Sequence, residues 1–162
     1  MVFFGRTGAE ACRFFNLNLD EWQGASLLDC PGGPGSLAAL ARRSGLEVLA
    51  LDPLYALDPQ ADGGLHELDC FDLAWHRRAL AELLRVCRRE LRIFPAHTIT
   101  LPTRVHPYVA PLIAELPEGW QASLEPTSYD QGSAGETPML RIRRVAPTPE
   151  PLESSRPLPA QQ

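Results

Sequence analysis

Apolar positions recur in short bursts along this chain, and the length and period of each burst predict an element. Thr7 can cap a first helix that runs through Glu10, Cys12, Phe14 and Phe15, and residues 16–20 end it before a turn around Trp22. Gly24 breaks the chain, and residues 25–30 form an apolar run too short for a helix and suited to a buried parallel strand. A turn rich in glycine and proline follows at residues 31–35. Residues 36–44 then place Leu37, Leu40 and Ala41 on one face and Arg42 and Arg43 on the other, which predicts an amphipathic helix stopped by Gly45. A second apolar strand spans residues 46–52, and Pro53 ends it. The unit is β-α-β, with a right-handed crossover.

The pattern then lapses. Residues 54–71 hold Pro59, Gly63 and Gly64 among acids, as a connection does. From Asp72 a helical period returns through Leu73, His76, Leu80, Leu83, Leu84 and Cys87. Residues 91–94 read as a strand closed by Pro95, residues 105–116 as a helix despite Pro107 and Pro111, and residues 120–124 and 139–145 as two last strands. From Ala146 onward Pro, Ser, Glu and Gln dominate, which predicts a disordered tail at 146–162 behind one domain at 1–145. The expected fold is a compact three-layer α/β sheet of about five strands, mostly parallel, with an antiparallel C-terminal hairpin.

Composition narrows the function classes. The net charge of -5 argues against a general nucleic-acid binder, which needs a basic surface to displace counterions from phosphates. Cys12, Cys30, Cys70 and Cys87 show no CxxC spacing and no charged-then-apolar leader precedes them, so disulfides are not expected and a cytoplasmic setting is. No apolar run approaches the roughly 20 residues of a membrane-spanning helix.

The glycine turn carries the candidate chemistry. A loop from a strand's carboxyl end to a helix start exposes backbone N–H groups, and Gly32, Gly33 and Gly35 let a ligand approach them without a Cβ in the way. Asp52 ends the next strand, where a carboxylate can accept hydrogen bonds from both hydroxyls of a ribose. Residues 33–38 also satisfy the dinucleotide pattern GxGxx(G/A). Asp29 separates the two cofactor classes. A pyrophosphate at the loop would be repelled by an acid ending the first strand, whereas S-adenosylmethionine brings an ammonium and a sulfonium that an acid favours.

Leu-Leu-Asp-Cys-Pro-Gly-Gly-Pro-Gly-Ser at 27–36, followed by Val-Leu-Ala-Leu-Asp-Pro-Leu-Tyr at 48–55, resembles the signature of class I S-adenosylmethionine-dependent methyltransferases. Asp29, Gly33 and Gly35 match the family's first motif, and Pro31 stands where its first glycine would be. Residues 80–88 and 92–95 are similar to a later helix and strand of that fold, so the resemblance covers residues 3–144. It implies a shortened Rossmann-like methyltransferase with S-adenosylmethionine held by Asp29, Cys30, Pro31, Gly32, Gly33, Gly35, Asp52 and Pro53, and a methyl acceptor the sequence does not identify. The family places two more strands and their helices where this chain has only residues 54–71. Asp62, Glu67 and Asp69 are the acids there that could take the adenine amine. The alternative is a remnant of the fold that binds cofactor or serves structure without catalysis. A sheet edge opened by the shortening would favour a homo-oligomer.

Other candidates compete with plainer roles. His66, Cys70, His76 and Cys87 are metal-ligand types at irregular spacing, which fits core and surface positions better than zinc. Arg77, Arg78, Arg85, Arg88, Arg89 and Arg92 could form an RNA-facing stripe, but Glu82 and Glu90 interleave them as on a solvated helix. Phe3, Phe4, Phe14 and Phe15 suit core packing more than a cofactor lid. Asp130, Ser133 and His97 lack the GxSxG elbow of a hydrolase, so that triad is discarded. Tyr55 and His106 remain candidates for pocket walls near strand ends.

Overall fold

The computed structural model describes residues 7–30, 35–51, 72–98, 102–128 and 137–145. Helix α1 (Gly8–Phe14) starts at a capping box, in which the Thr7 hydroxyl accepts from the Glu10 N–H and the Glu10 carboxylate accepts from the Thr7 N–H at 2.7 Å. A 3₁₀ turn at Leu19–Trp22 leads into β1 (Ser26–Asp29). Helix α2 (Ser36–Arg43) then returns the chain to β2 (Glu47–Ala50), which pairs parallel with β1 in the register Leu27 to Val48 and Asp29 to Ala50. The predicted β-α-β unit is present, with both strands shorter than expected.

The second half is built differently. Asp72 caps α3 (Leu73–Val86) by accepting from the Trp75 N–H at 2.7 Å. Strand β3 (Glu90–Ile93), helix α4 (Val109–Ala114) and strands β4 (Trp120–Pro126) and β5 (Pro138–Arg144) follow. β5 lies between β3 and β4 and runs antiparallel to both, so β3 and β4 are parallel to each other. The protein is therefore mixed α/β, with a two-stranded parallel sheet and a three-stranded antiparallel one. The expectation of one mostly parallel sheet is corrected: among the described residues one ladder is parallel and two are antiparallel, and no hydrogen bonds join the two sheets. The C-terminal antiparallel hairpin appears as expected.

The predicted helix over residues 105–116 is also corrected. Val105 forms a bridge with His97, and the helix begins only at Val109. Pro107 is the physical reason, since a proline disfavours helical backbone in the residue before it, and the His106 N–H donates outward to the Ala96 carbonyl at 3.0 Å.

Cross-strand pairing gives the antiparallel sheet two unlike faces. Leu91 opposes Ile142 and Ile93 opposes Leu140 on one face, which shares a core with Leu80 and Leu84 of α3 and Val109 of α4. Glu90 opposes Arg143 and Arg92 opposes Arg141 on the other. There the Glu90 carboxylate, 7% exposed, accepts from Arg92 and, at 2.8 Å, from Arg141. Arg92 also donates to the carbonyls of Phe15 and Asn16 at 2.6 and 2.5 Å, satisfying acceptors that the end of α1 leaves open. Paired arginine therefore ties α1 to the sheet. Phe14 completes the joint by stacking on Phe94, with ring centroids 4.9 Å apart. Phe14 is buried, in agreement with its expected core role, whereas Phe3 and Phe4 lie outside the described residues. Among the described residues no helix is long and apolar enough to cross a membrane.

Candidate functional site

The carboxyl ends of β1 and β2 are fastened side by side. Asp29 pairs with Ala50, and the Leu51 N–H donates to the Asp29 carbonyl at 2.9 Å. Alternation along β1 leaves the Asp29 side chain half-buried on the face of Leu27, while Cys30 is exposed at the start of the turn.

The chain re-enters at Gly35, whose φ of 74° and ψ of 15° lie in the left-handed region. A Cβ is disfavoured there, so the glycine is required by backbone conformation. Gly35 is the N-cap of α2 and provides no side-chain acceptor, and no acidic residue occupies the helix's first turn. Among the described residues no side chain caps the leading amides of α2, and a helix start carries the partial positive charge that an anion favours. Leu37, Ala38 and Ala41, all nearly or fully buried, seat the helix. α1 packs directly on its first turn, because a Cβ on Gly8 would come within 2.6 Å of the Ser36 carbonyl oxygen. Helix α2 is consequently held by two neighbours, α1 against its first turn and the parallel sheet through Leu40 and Ala41.

Of the sequence-predicted site, Asp29, Cys30 and Gly35 are brought to this end of the unit. Pro31, Gly32, Gly33, Asp52 and Pro53 lie outside the described residues, as do Tyr55, His66, Cys70, Asp130 and Ser133. His76, His106 and Tyr108 form a ring cluster, with the His76 and His106 centroids 6.2 Å apart and His106 and Tyr108 4.7 Å apart. Burial, with the nearby His76 charge, holds the His106 imidazole below its ordinary value of 6.5. His97 is buried, and its Nδ1 lies 2.9 Å from the Thr98 carbonyl. Cys87 caps the end of α3, and burial raises the thiol of Cys12. Among the described residues no three His, Cys, Asp or Glu side chains gather as metal ligands.

The arginine stripe resolves into separate roles. Arg77 pairs with Glu115 at 2.5 Å and Arg85 with Glu82 at 2.8 Å, both at the surface. Arg88 and Arg89 instead meet Arg143 and Arg144 around Trp22, a grouping that sequence reasoning missed. Its only signal was the doubled arginine at 88–89 and again at 143–144. Comparison with family models, curated proteins and solved structures finds no match to this chain.

Proposed function

We propose that the chain is a shortened, Rossmann-like S-adenosylmethionine-dependent methyltransferase, with the cofactor at the carboxyl end of β1. The observation that carries this reading is the left-handed Gly35 N-cap at the crossover between two parallel strands, beside a half-buried acid, Asp29. Open α/β sheets bind ligands outside the carboxyl ends of their strands. The residues fit the group chemically. The α2 amides suit its carboxylate and Asp29 its ammonium, and the sequence reading adds Asp52 as the ribose acceptor together with Cys30, Pro31, Gly32, Gly33 and Pro53. Parallel β3 and β4 with the last strand reversed between them are in keeping with the C-terminal half of the expected fold.

When bound, S-adenosylmethionine supplies an already activated methyl group. The chain's own part is to orient the methyl acceptor in line and keep water out, so positioning outweighs acid–base work. The setting consistent with this reading is cytoplasmic, with a homo-oligomer formed through the exposed strands.

Calorimetric titration tests it. S-adenosylhomocysteine binds the wild type and binds Asp52→Ala at least about tenfold more weakly, because two ribose hydrogen bonds to a charged acceptor are lost. Tight NAD binding with no response to S-adenosylhomocysteine overturns the assignment. A second reading, a non-catalytic remnant, is favoured by one observation: Leu28 and Leu49 of the parallel strands and Leu51 just after β2 stand 39%, 59% and 47% exposed. No cofactor response in either protein selects it.

A further inference from the structure

At the opposite end of β3 from its carboxyl terminus lies a cleft of about 410 Å³ lined by Trp22, Arg88, Arg89, Arg143 and Arg144, together with Glu90. We propose that this cleft is a binding site for a compact oligophosphate, the triphosphate of a nucleotide or a free polyphosphate. The site is independent of the glycine turn and does not rest on the methyltransferase reading.

The backbone builds the cluster. The Arg144 N–H donates to the Arg89 carbonyl at 2.9 Å, and Glu90 opposes Arg143, so the last rung of the β3–β5 ladder sets two pairs of arginines side by side. Two of them are braced. The Arg89 guanidinium lies over the Trp22 ring at 4.9 Å from its centroid, and the Arg144 guanidinium over the Trp120 ring at 5.2 Å. Stacking leaves the edges of a guanidinium, where its N–H donors are, free to face a ligand.

Charge makes the cluster unusual. Among the described residues Arg77, Arg85, Arg92 and Arg141 pair with carboxylates; Arg88, Arg89, Arg143 and Arg144 share with Arg13, Arg42, Arg43, Arg78 and Arg104 the lack of a carboxylate within 4 Å, and of these the four at 88–89 and 143–144 are the ones that converge on one cleft. Glu90 does not neutralise them, for it is already shared by Arg92 and Arg141, which hold its carboxyl below the ordinary range against the burial that raises it. In a chain of net charge -5, four uncompensated guanidiniums at one cleft create a local positive potential that an anion relieves. Forked donors match phosphate oxygens in pairs, and the cleft has the size of a small-ligand pocket. The overall negative charge and the compact grouping favour a small oligoanion over a nucleic-acid backbone.

The test titrates the full chain with tripolyphosphate and with ATP, following tryptophan fluorescence and heat. Wild type binds, and binding weakens as salt is raised. Arg88→Gln/Arg143→Gln, which leaves both stacked arginines in place, weakens binding at least about tenfold with an unchanged melting temperature. Arg88→Lys/Arg143→Lys recovers part of it, by charge without the fork. Should the glutamine variant fail to fold, the lysine variant carries the test, with binding weaker than wild type expected. ATP tighter than tripolyphosphate assigns a nucleotide, and equal affinity assigns the phosphates alone. No binding by wild type, binding undiminished in a folded variant, or a uridine decamer displacing tripolyphosphate at lower concentration overturns the proposal.

Discussion

The two sheets of this protein divide its labour. The antiparallel β3-β5-β4 sheet has elements against both faces: Ile142 and Met139 are fully buried, α3 and α4 share a core with one face, and the Glu90 network fastens α1 to the other. The parallel β1–β2 pair has α2 beside it yet leaves Leu49 59% exposed. Burial of apolar area dominates stability, so the costliest single core positions are the fully buried Met139 and Ile142 of the antiparallel half. The parallel half carries the left-handed glycine, the strand-end acid and a helix start without a side-chain cap among the described residues. Sites that receive ligands are commonly drawn from the less stable parts of a fold, and the proposed site would sit beside the more exposed of the two sheets.

The largest expected effect breaks the antiparallel half. Ile142→Ala lowers unfolding free energy by about 4 kcal/mol in urea denaturation, through lost burial and a cavity, whereas Leu49→Ser changes it by less than about 0.5 kcal/mol. Equal losses at the two positions would abolish the contrast. Next comes the joint between α1 and the sheet. Glu90→Ala costs about 3 kcal/mol, because Arg92 and Arg141 are left partly buried without their shared carboxylate. Denaturation that keeps the wild-type midpoint would show that the network does not tie the halves together.

The smallest effect is a pH dependence. His106 has a lowered folded value, so the unfolded chain binds the proton more readily below its ordinary value of 6.5. Stability therefore falls as pH drops through that value toward the folded one, and the acids, lowered from 4.5, contribute only further down. The melting temperature declines between about pH 7.5 and 5.5, and His106→Gln flattens the decline. An unchanged slope in the variant would assign the proton elsewhere.

Local chemistry made much of the parallel half legible in the sequence. Thr7 with Glu10, the Gly35 entry, the amphipathic 36–44 run and the Gly45 stop are all decided within a few residues. The remainder depends on partners far along the chain. Nothing near residues 91–94 says that their neighbour will be residues 140–143 rather than the first strands, so the separation into two sheets was unreadable. Pro107 did announce the late start of α4, and the apolar period masked it. The arginine cleft was hidden for the same long-range reason. Trp22, Arg89 and Arg144 meet only after both halves have folded.

Hydrogen exchange with and without saturating S-adenosylhomocysteine tests the central claim most directly. The proposed site predicts exchange slowed on the order of tenfold or more at the end of β1, the first turn of α2 and the end of β2, with residues 139–143 unchanged. Unaltered exchange in the β1-α2-β2 unit, or protection confined to the antiparallel sheet, would contradict it.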